Sequence, residues 1–261
     1  MRDLGICYRS HGVWDKAKGL LNEALLLTEN QEKLGGWQAS IFYNLAWIYN
    51  DQGEKETAIA LCQQSLELQG KIGDVQGQAA TLHCLGMIYT NQGKIGQAIA
   101  LYQQSIEIEE KIGNVQGKAA TLHCLGIIYA NQGEINQAIA LYKQSLEIKE
   151  KIGNVQGKAA TLHCLGIIYA NQGEIDQAIA LYQQSLELKE KIGDVQGKAA
   201  TLHQLAGIYA NQGEVDQAIA LYQQSLEIEE KIGNVQGKAM TLWCLGDIAN
   251  GQGNSEQALI Y

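Results

Sequence analysis

The chain of 261 residues contains no proline. Its helix ends therefore rest on glycine and on capping side chains alone. It also lacks a basic excess, with Lys+Arg 19 against Asp+Glu 28 and a net charge of −9. Proteins that hold nucleic acid non-specifically replace its counterions with lysine and arginine. This balance argues against a nucleic-acid partner. No apolar run approaches the roughly 18 residues of a membrane-spanning helix, so no membrane role is expected. The opening stretch, MRDLGICYRS, lacks a signal-peptide core. Nor does the sequence hold a nucleophile–base arrangement, a glycine-rich phosphate loop or a metal-ligand cluster. We therefore expect no enzyme activity and no cofactor.

Cysteine is present but not in a disulfide pattern. Of Cys7, Cys62, Cys84, Cys124, Cys164 and Cys244, the last four fall at multiples of 40 residues from one another. A disulfide framework pairs different positions, whereas one small residue recurring at one position reads as a packed thiol. Reduced cysteines place the chain in the cytoplasm.

What the sequence does have is repetition. Residues 119–158 and 159–198 differ only at Asn136/Asp176, Lys143/Gln183, Ile148/Leu188 and Asn154/Asp194, so 36 of 40 positions match. A fixed period of this size means a stacked array, in which each unit buries its apolar face against its neighbours. Within 119–158, Leu122, Leu125, Ile128 and Tyr129 form an apolar stripe at helical spacing. Asn131-Gln132-Gly133 stops that helix, because glycine tolerates the left-handed conformation past a helix end. Asn136, like Asp176 and Asp216, sits where the second helix should be capped. That helix presents Ile135, Ala138, Ile139, Tyr142 and Leu146 on one side and runs out at Gly153. Asn154 or Asp194 then caps the next helix. Glu147-Ile148-Lys149-Glu150-Lys151 reads as a solvated helix face with local ion pairs.

Gly126 lies inside the first helix, where glycine costs roughly 1 kcal/mol relative to alanine. Its equivalents are Gly5, Ala46, Gly86, Gly166, Ala206 and Gly246, all without bulk. A close helix crossing explains this, with Ala138 and its counterparts Ala98, Ala178 and Ala218 as the other half of the contact.

The run Leu122, Leu125-Gly126-x-x-Tyr129, Ala138, Tyr142 resembles the tetratricopeptide repeat, over the whole chain. Ser145 stands at the usual small position, Glu150 stands where proline is usual, and the period is 40 rather than 34. The extra residues add up to about 9 Å of helix per unit. This longer form is similar to repeats of spindle-orientation adaptors and of large bacterial signalling proteins. The resemblance implies an all-α fold, an α-solenoid of stacked antiparallel helix pairs forming a right-handed superhelix. A single array spans 1–261: a partial unit 1–37, full units 38–78, 79–118, 119–158, 159–198 and 199–238, and a partial unit 239–261. Neither end carries a polar capping repeat, so we expect a segment of a longer protein. Uncapped ends invite end-to-end self-association.

The resemblance further implies that the first helices line a concave, partner-binding groove. The candidates in the four central units are His83, Met87 and Asn91; His123, Ile127 and Asn131; His163, Ile167 and Asn171; and His203, Gly207 and Asn211. Tyr43, Trp47 and Asn50 stand at one end, and Trp243 and Asp247 at the other. The segments 79–93, 119–133, 159–173 and 199–213 contain no Asp, Glu, Lys or Arg. A nearly neutral groove disfavours carboxylate and phosphate ligands, which want lysine or arginine clusters. It suits an extended or helical segment with apolar side chains, and the asparagines either hydrogen-bond that segment or serve the helix-ending turn. The histidines sit one repeat apart, on the order of 10 Å, too far to share a zinc ion with ligands at about 2 Å. As groove lining they would charge near pH 6 and alter affinity between pH 7.5 and 5.5. The leading reading is a non-catalytic scaffold for a protein or peptide, or for another domain of the same full-length chain. A peptide-sensing regulatory module and an architectural spacer stand as alternatives.

Overall fold

The computed structural model describes residues 2–10, 13–28, 34–254 and 258. Among the described residues there are thirteen α-helices and no strand. They are α1 (Arg2–Ser10), α2 (Trp14–Thr28), α3 (Gly35–Asp51), α4 (Lys55–Ile72), α5 (Val75–Asn91), α6 (Ile95–Ile112), α7 (Val115–Asn131), α8 (Ile135–Lys151), α9 (Val155–Asn171), α10 (Ile175–Ile192), α11 (Val195–Asn211), α12 (Val215–Ile232) and α13 (Val235–Gly251). Two compact units share them, Met1–Gln132 and Gly133–Tyr261.

Both turns of each repeat follow from the sequence. After a second helix the chain passes through a left-handed glycine, as at Gly193 (φ 70°). The Gly193 N–H then donates to the Glu190 carbonyl and the Asp194 N–H to the Lys189 carbonyl, satisfying the last turn of α10. Asp194 also faces forward, since its carboxylate accepts the Gly197 N–H at 2.9 Å and caps α11. Asp74, Asn114, Asn154 and Asn234 cap their helices in the same way. The cap of the second helices lies elsewhere than expected. Glu134, Glu174 and Glu214 hold the N-cap position without a side-chain hydrogen bond. The left-handed Gly133, Gly173 and Gly213 bring the chain straight into the helix, so Asn136, Asp176 and Asp216 fall inside the first turn. There the two aspartates face the positive helix end.

Within each unit the helices pack in chain order, α3 on α4 and α5 on α6 in the first, α9 on α10 and α11 on α12 in the second. First helices also touch the next first helix: α3 with α5, α5 with α7, α9 with α11 and α11 with α13. The interior is built from the expected stripes, with Leu122, Leu125, Ile128, Ala138 and Tyr142 all buried. The small position in the first helix does meet a close neighbour, but that neighbour is not the alanine. A Cβ added at Gly166 would stand 2.7 Å from Cε1 of Tyr182, and one at Gly86 equally close to Tyr102. The tyrosine ring is the bulky group and Ala178 or Ala98 simply lets the helix lie near.

Ser105 and Ser185, at the small position late in the second helix, are buried and donate to the carbonyls of Ala79 and Ala159 at 2.9 and 2.8 Å. Among the described residues the cysteines form no disulfide, and they are buried at Cys62 and Cys84 and partly buried at Cys124, Cys164 and Cys244. The Cys62 and Cys84 sulfurs lie 3.8 Å apart.

Candidate functional site

The proposed groove residues sit on the first helices at one recurring face. Asn91, Asn131, Asn171 and Asn211 are the last residues of α5, α7, α9 and α11, and all four side chains are exposed. The left-handed place in each turn belongs to the glycine two residues on, Gly93, Gly133, Gly173 and Gly213. Met87 and Ile167 are half-buried, and Ile127 is exposed. At α3, Tyr43 and Trp47 pack edge to face with ring centroids 6.4 Å apart. Asn50 is half-buried beside Asp51. On α13, Trp243 is 72% exposed. Together with Asp247 it borders an open cavity of about 530 Å³.

The histidines behave differently from a freely accessible lining. His83 packs edge to face on Tyr102 at 5.4 Å, and His163 and His203 lie against Tyr182 and Tyr222 at 5.5 and 5.1 Å. Their Nδ1 atoms lie 3.0, 3.0 and 2.9 Å from the hydroxyls of Thr121, Thr201 and Thr241 on the following first helix. His123 is likewise half-buried. Burial pushes His83 and His163 down to about 4, and lowers His203 as well. The expected charging near pH 6 is not met at His83 and His163: burial disfavours the imidazolium, and at His163 the nearby Lys189 ammonium disfavours it further.

Behind the histidines lies a polar joint that sequence reasoning missed. Lys189 is buried near the end of α10, where its ammonium donates to Thr201 Oγ1 at 2.6 Å and to the Gly197 carbonyl at 3.1 Å. Glu109, at the same repeat position on α6, turns toward Thr121 and Ser105, and burial raises its carboxyl to about 7. Thr121 and Thr201 thus each sit between a histidine of the preceding first helix and a long polar side chain of the intervening second helix. Gly117 and Gly157 on the facing helices have no side chain to block Glu109 and Lys149, whose ends lie where a Cβ would stand. Lys149 occupies the equivalent place in the 147–151 segment and is buried, donating to Thr161 at 2.8 Å. The solvated-face reading of that segment holds for Glu147 and Lys151, paired at 2.6 Å and exposed, and fails for Lys149.

This is the geometry of a repeat scaffold. The tetratricopeptide repeat family model matches residues 1–71, 77–151, 157–231 and 197–261, and the chain belongs to that family. No curated protein matches it. Among solved structures, BtubC (BKLC) from P. vanneervenii is similar with a TM-score of 0.71 and 18% identity, over 89% of this chain and 92% of that one. A signal transduction ATPase with numerous domains and a tetratricopeptide repeat sensor, from Pyrococcus horikoshii, gives a TM-score of 0.79 and 17% identity, over 98% of this chain and 39% of that one. A Rap protein complexed with competence and sporulation factor gives 0.69 and 15%, over 98% and 75%. These likenesses establish the fold. No described helix is long and apolar enough to cross a membrane.

Proposed function

We propose that the chain is a non-catalytic interaction scaffold whose first helices hold an uncharged segment of a protein or peptide, or of another domain of its own full-length chain. One observation carries this reading. In the second unit α9 and α11 offer exposed carboxamides at Asn171 and Asn211 and a half-buried apolar group at Ile167, with no acidic or basic residue in 159–173 or 199–213; in the first unit α5 and α7 repeat the pattern with Asn91, Met87, Asn131 and Ile127. Carboxamides both donate and accept, which matches peptide backbone, and apolar side chains between them provide area to bury. The solved relatives include a sensor repeat and a Rap protein with its bound factor, and the shared fold supports the same kind of role by analogy.

The test is affinity capture with the chain beside its Ile127→Arg/Ile167→Arg variant, both first matched in helicity and melting. A protein retained by the wild type and lost by the variant supports the scaffold. Equal or empty captures favour the architectural spacer. A peptide-sensing module is distinguished by a change of scattering profile on ligand addition. A secondary reading, self-association, is favoured by the exposed Val235, Met240 and Trp243 on α13. Concentration-dependent sedimentation tests it.

A further inference from the structure

The first-helix face is nearly periodic, and the fifth repeat breaks it. Residues 164–167 read Cys-Leu-Gly-Ile, as do residues 124–127, whereas residues 204–207 read Gln-Leu-Ala-Gly. The change has two parts. Ala206 replaces the glycine that sits under the tyrosine ring, and it is fully buried. Gly207 replaces the isoleucine, so the side chain that covers the face at Ile167 is missing one repeat later. In the structure this place is a cavity of about 430 Å³ between the end of α9, the start of α10 and α11.

Its chemistry is coherent. The floor is apolar, formed by Ile175, Ile208 and the ring of Tyr182. The rim carries the carboxamides of Asn171, Gln204 and Asn211. Gln204 is exposed, in the place where other repeats have a cysteine. No lining residue is acidic, basic or a histidine. A charged group entering would lose its hydration with no counter-charge to meet it. A volume of this size lies within the range of specific binding pockets.

From this geometry we infer that the fifth repeat is a specificity socket, which takes one large uncharged apolar side chain from a bound peptide segment while Asn171, Gln204 and Asn211 hydrogen-bond that segment's backbone. The inference deepens the scaffold reading above and rests on it. The four central repeats then play different roles. The near-identical ones supply a uniform track, and the Gly207 repeat fixes register by giving the ligand a single place to insert an anchor.

The clean test rewrites the fifth repeat to match its neighbour. Gln204→Cys/Ala206→Gly/Gly207→Ile reproduces the sequence at 164–167, which packs in the same fold one repeat earlier. A Cβ at position 207 meets only the Tyr222 hydroxyl, at 3.4 Å, an ordinary contact. Random peptides displayed on phage are selected on the wild-type chain, and the enriched peptides are titrated against wild type, the triple variant and Ile167→Arg. The expected result is an uncharged consensus with one large apolar residue, bound at least tenfold more weakly by the triple variant and by Ile167→Arg. Replacing that apolar residue with alanine should weaken binding to wild type and add no further loss on the triple variant. Peptides lost on Ile167→Arg but held equally by the triple variant overturn the socket and leave the groove standing. Peptides indifferent to both changes, or an empty selection, overturn the groove reading and the socket with it. Should the triple variant melt early, Gly207→Val alone is read in its place by the same criteria.

Discussion

His163 Nδ1 and Thr201 Oγ1 lie 3.0 Å apart, so a side chain of α9 is tied to the next first helix, α11. The bond fixes the imidazole against Tyr182 and withdraws it from solvent, which is why it stays neutral. A buried base whose folded pKa lies below its unfolded value contributes stability that is whole above about 6.5 and erodes as pH falls toward about 4. The account predicts imidazole proton resonances of His83 and His163 that titrate near 4. Midpoints near 6.5 for these two residues contradict it. Protonation of His83 and His163 should therefore contribute no change in ligand affinity between pH 7.5 and 5.5, the reverse of what the histidine column alone suggests.

Glu109 acts in the opposite direction. Its carboxyl is raised from 4.5 to about 7 by burial. A raised acid leaves stability intact below 4.5 and withdraws it as pH climbs to about 7, where the buried carboxylate becomes charged. Glu109→Gln should therefore be close to neutral at pH 4.5 and stabilising by on the order of 2 kcal/mol at pH 8. Thermal or urea melts at the two pH values measure it. A variant less stable than wild type at pH 8 would show that the carboxylate is better satisfied than its surroundings indicate.

Ser185 Oγ donates to the Ala159 carbonyl at 2.8 Å and is fully buried. Ser185→Ala removes one buried hydrogen bond between paired helices without creating a clash. A loss of about 1 kcal/mol is expected in urea unfolding. Ser185→Leu should cost more, because the site has no spare volume. Equal stability of all three proteins would mean that the hydroxyl carries no weight.

The parts of this fold that were legible in the sequence are those governed by local chemistry. The period itself, the left-handed glycines at 153 and 193 and the caps at Asn154 and Asp194 depend on residues within a few positions of one another. The joints were not legible for a physical reason. Lys149 stands in a charged run, and charged runs are usually solvated, yet it continues the buried stripe of Ala138, Tyr142 and Ser145 at helical spacing. That spacing, together with Gly157 on the facing helix, was the available signal. The histidine column was visible, but its threonine partners lie 38 residues on, beyond the reach of local pattern. The exchange at Ala206 and Gly207 was readable as letters, and only the packing of Tyr182 and Asn171 around it gave it a shape.

The central claim is that partners engage the first helices. The most direct measurement is hydrogen exchange on the chain alone and with the protein it captures. The account predicts slowed exchange concentrated in the first helices α5, α7, α9 and α11, strongest around residues 204–211. Slowing confined to the outer second helices, α6, α10 and α12, would contradict it.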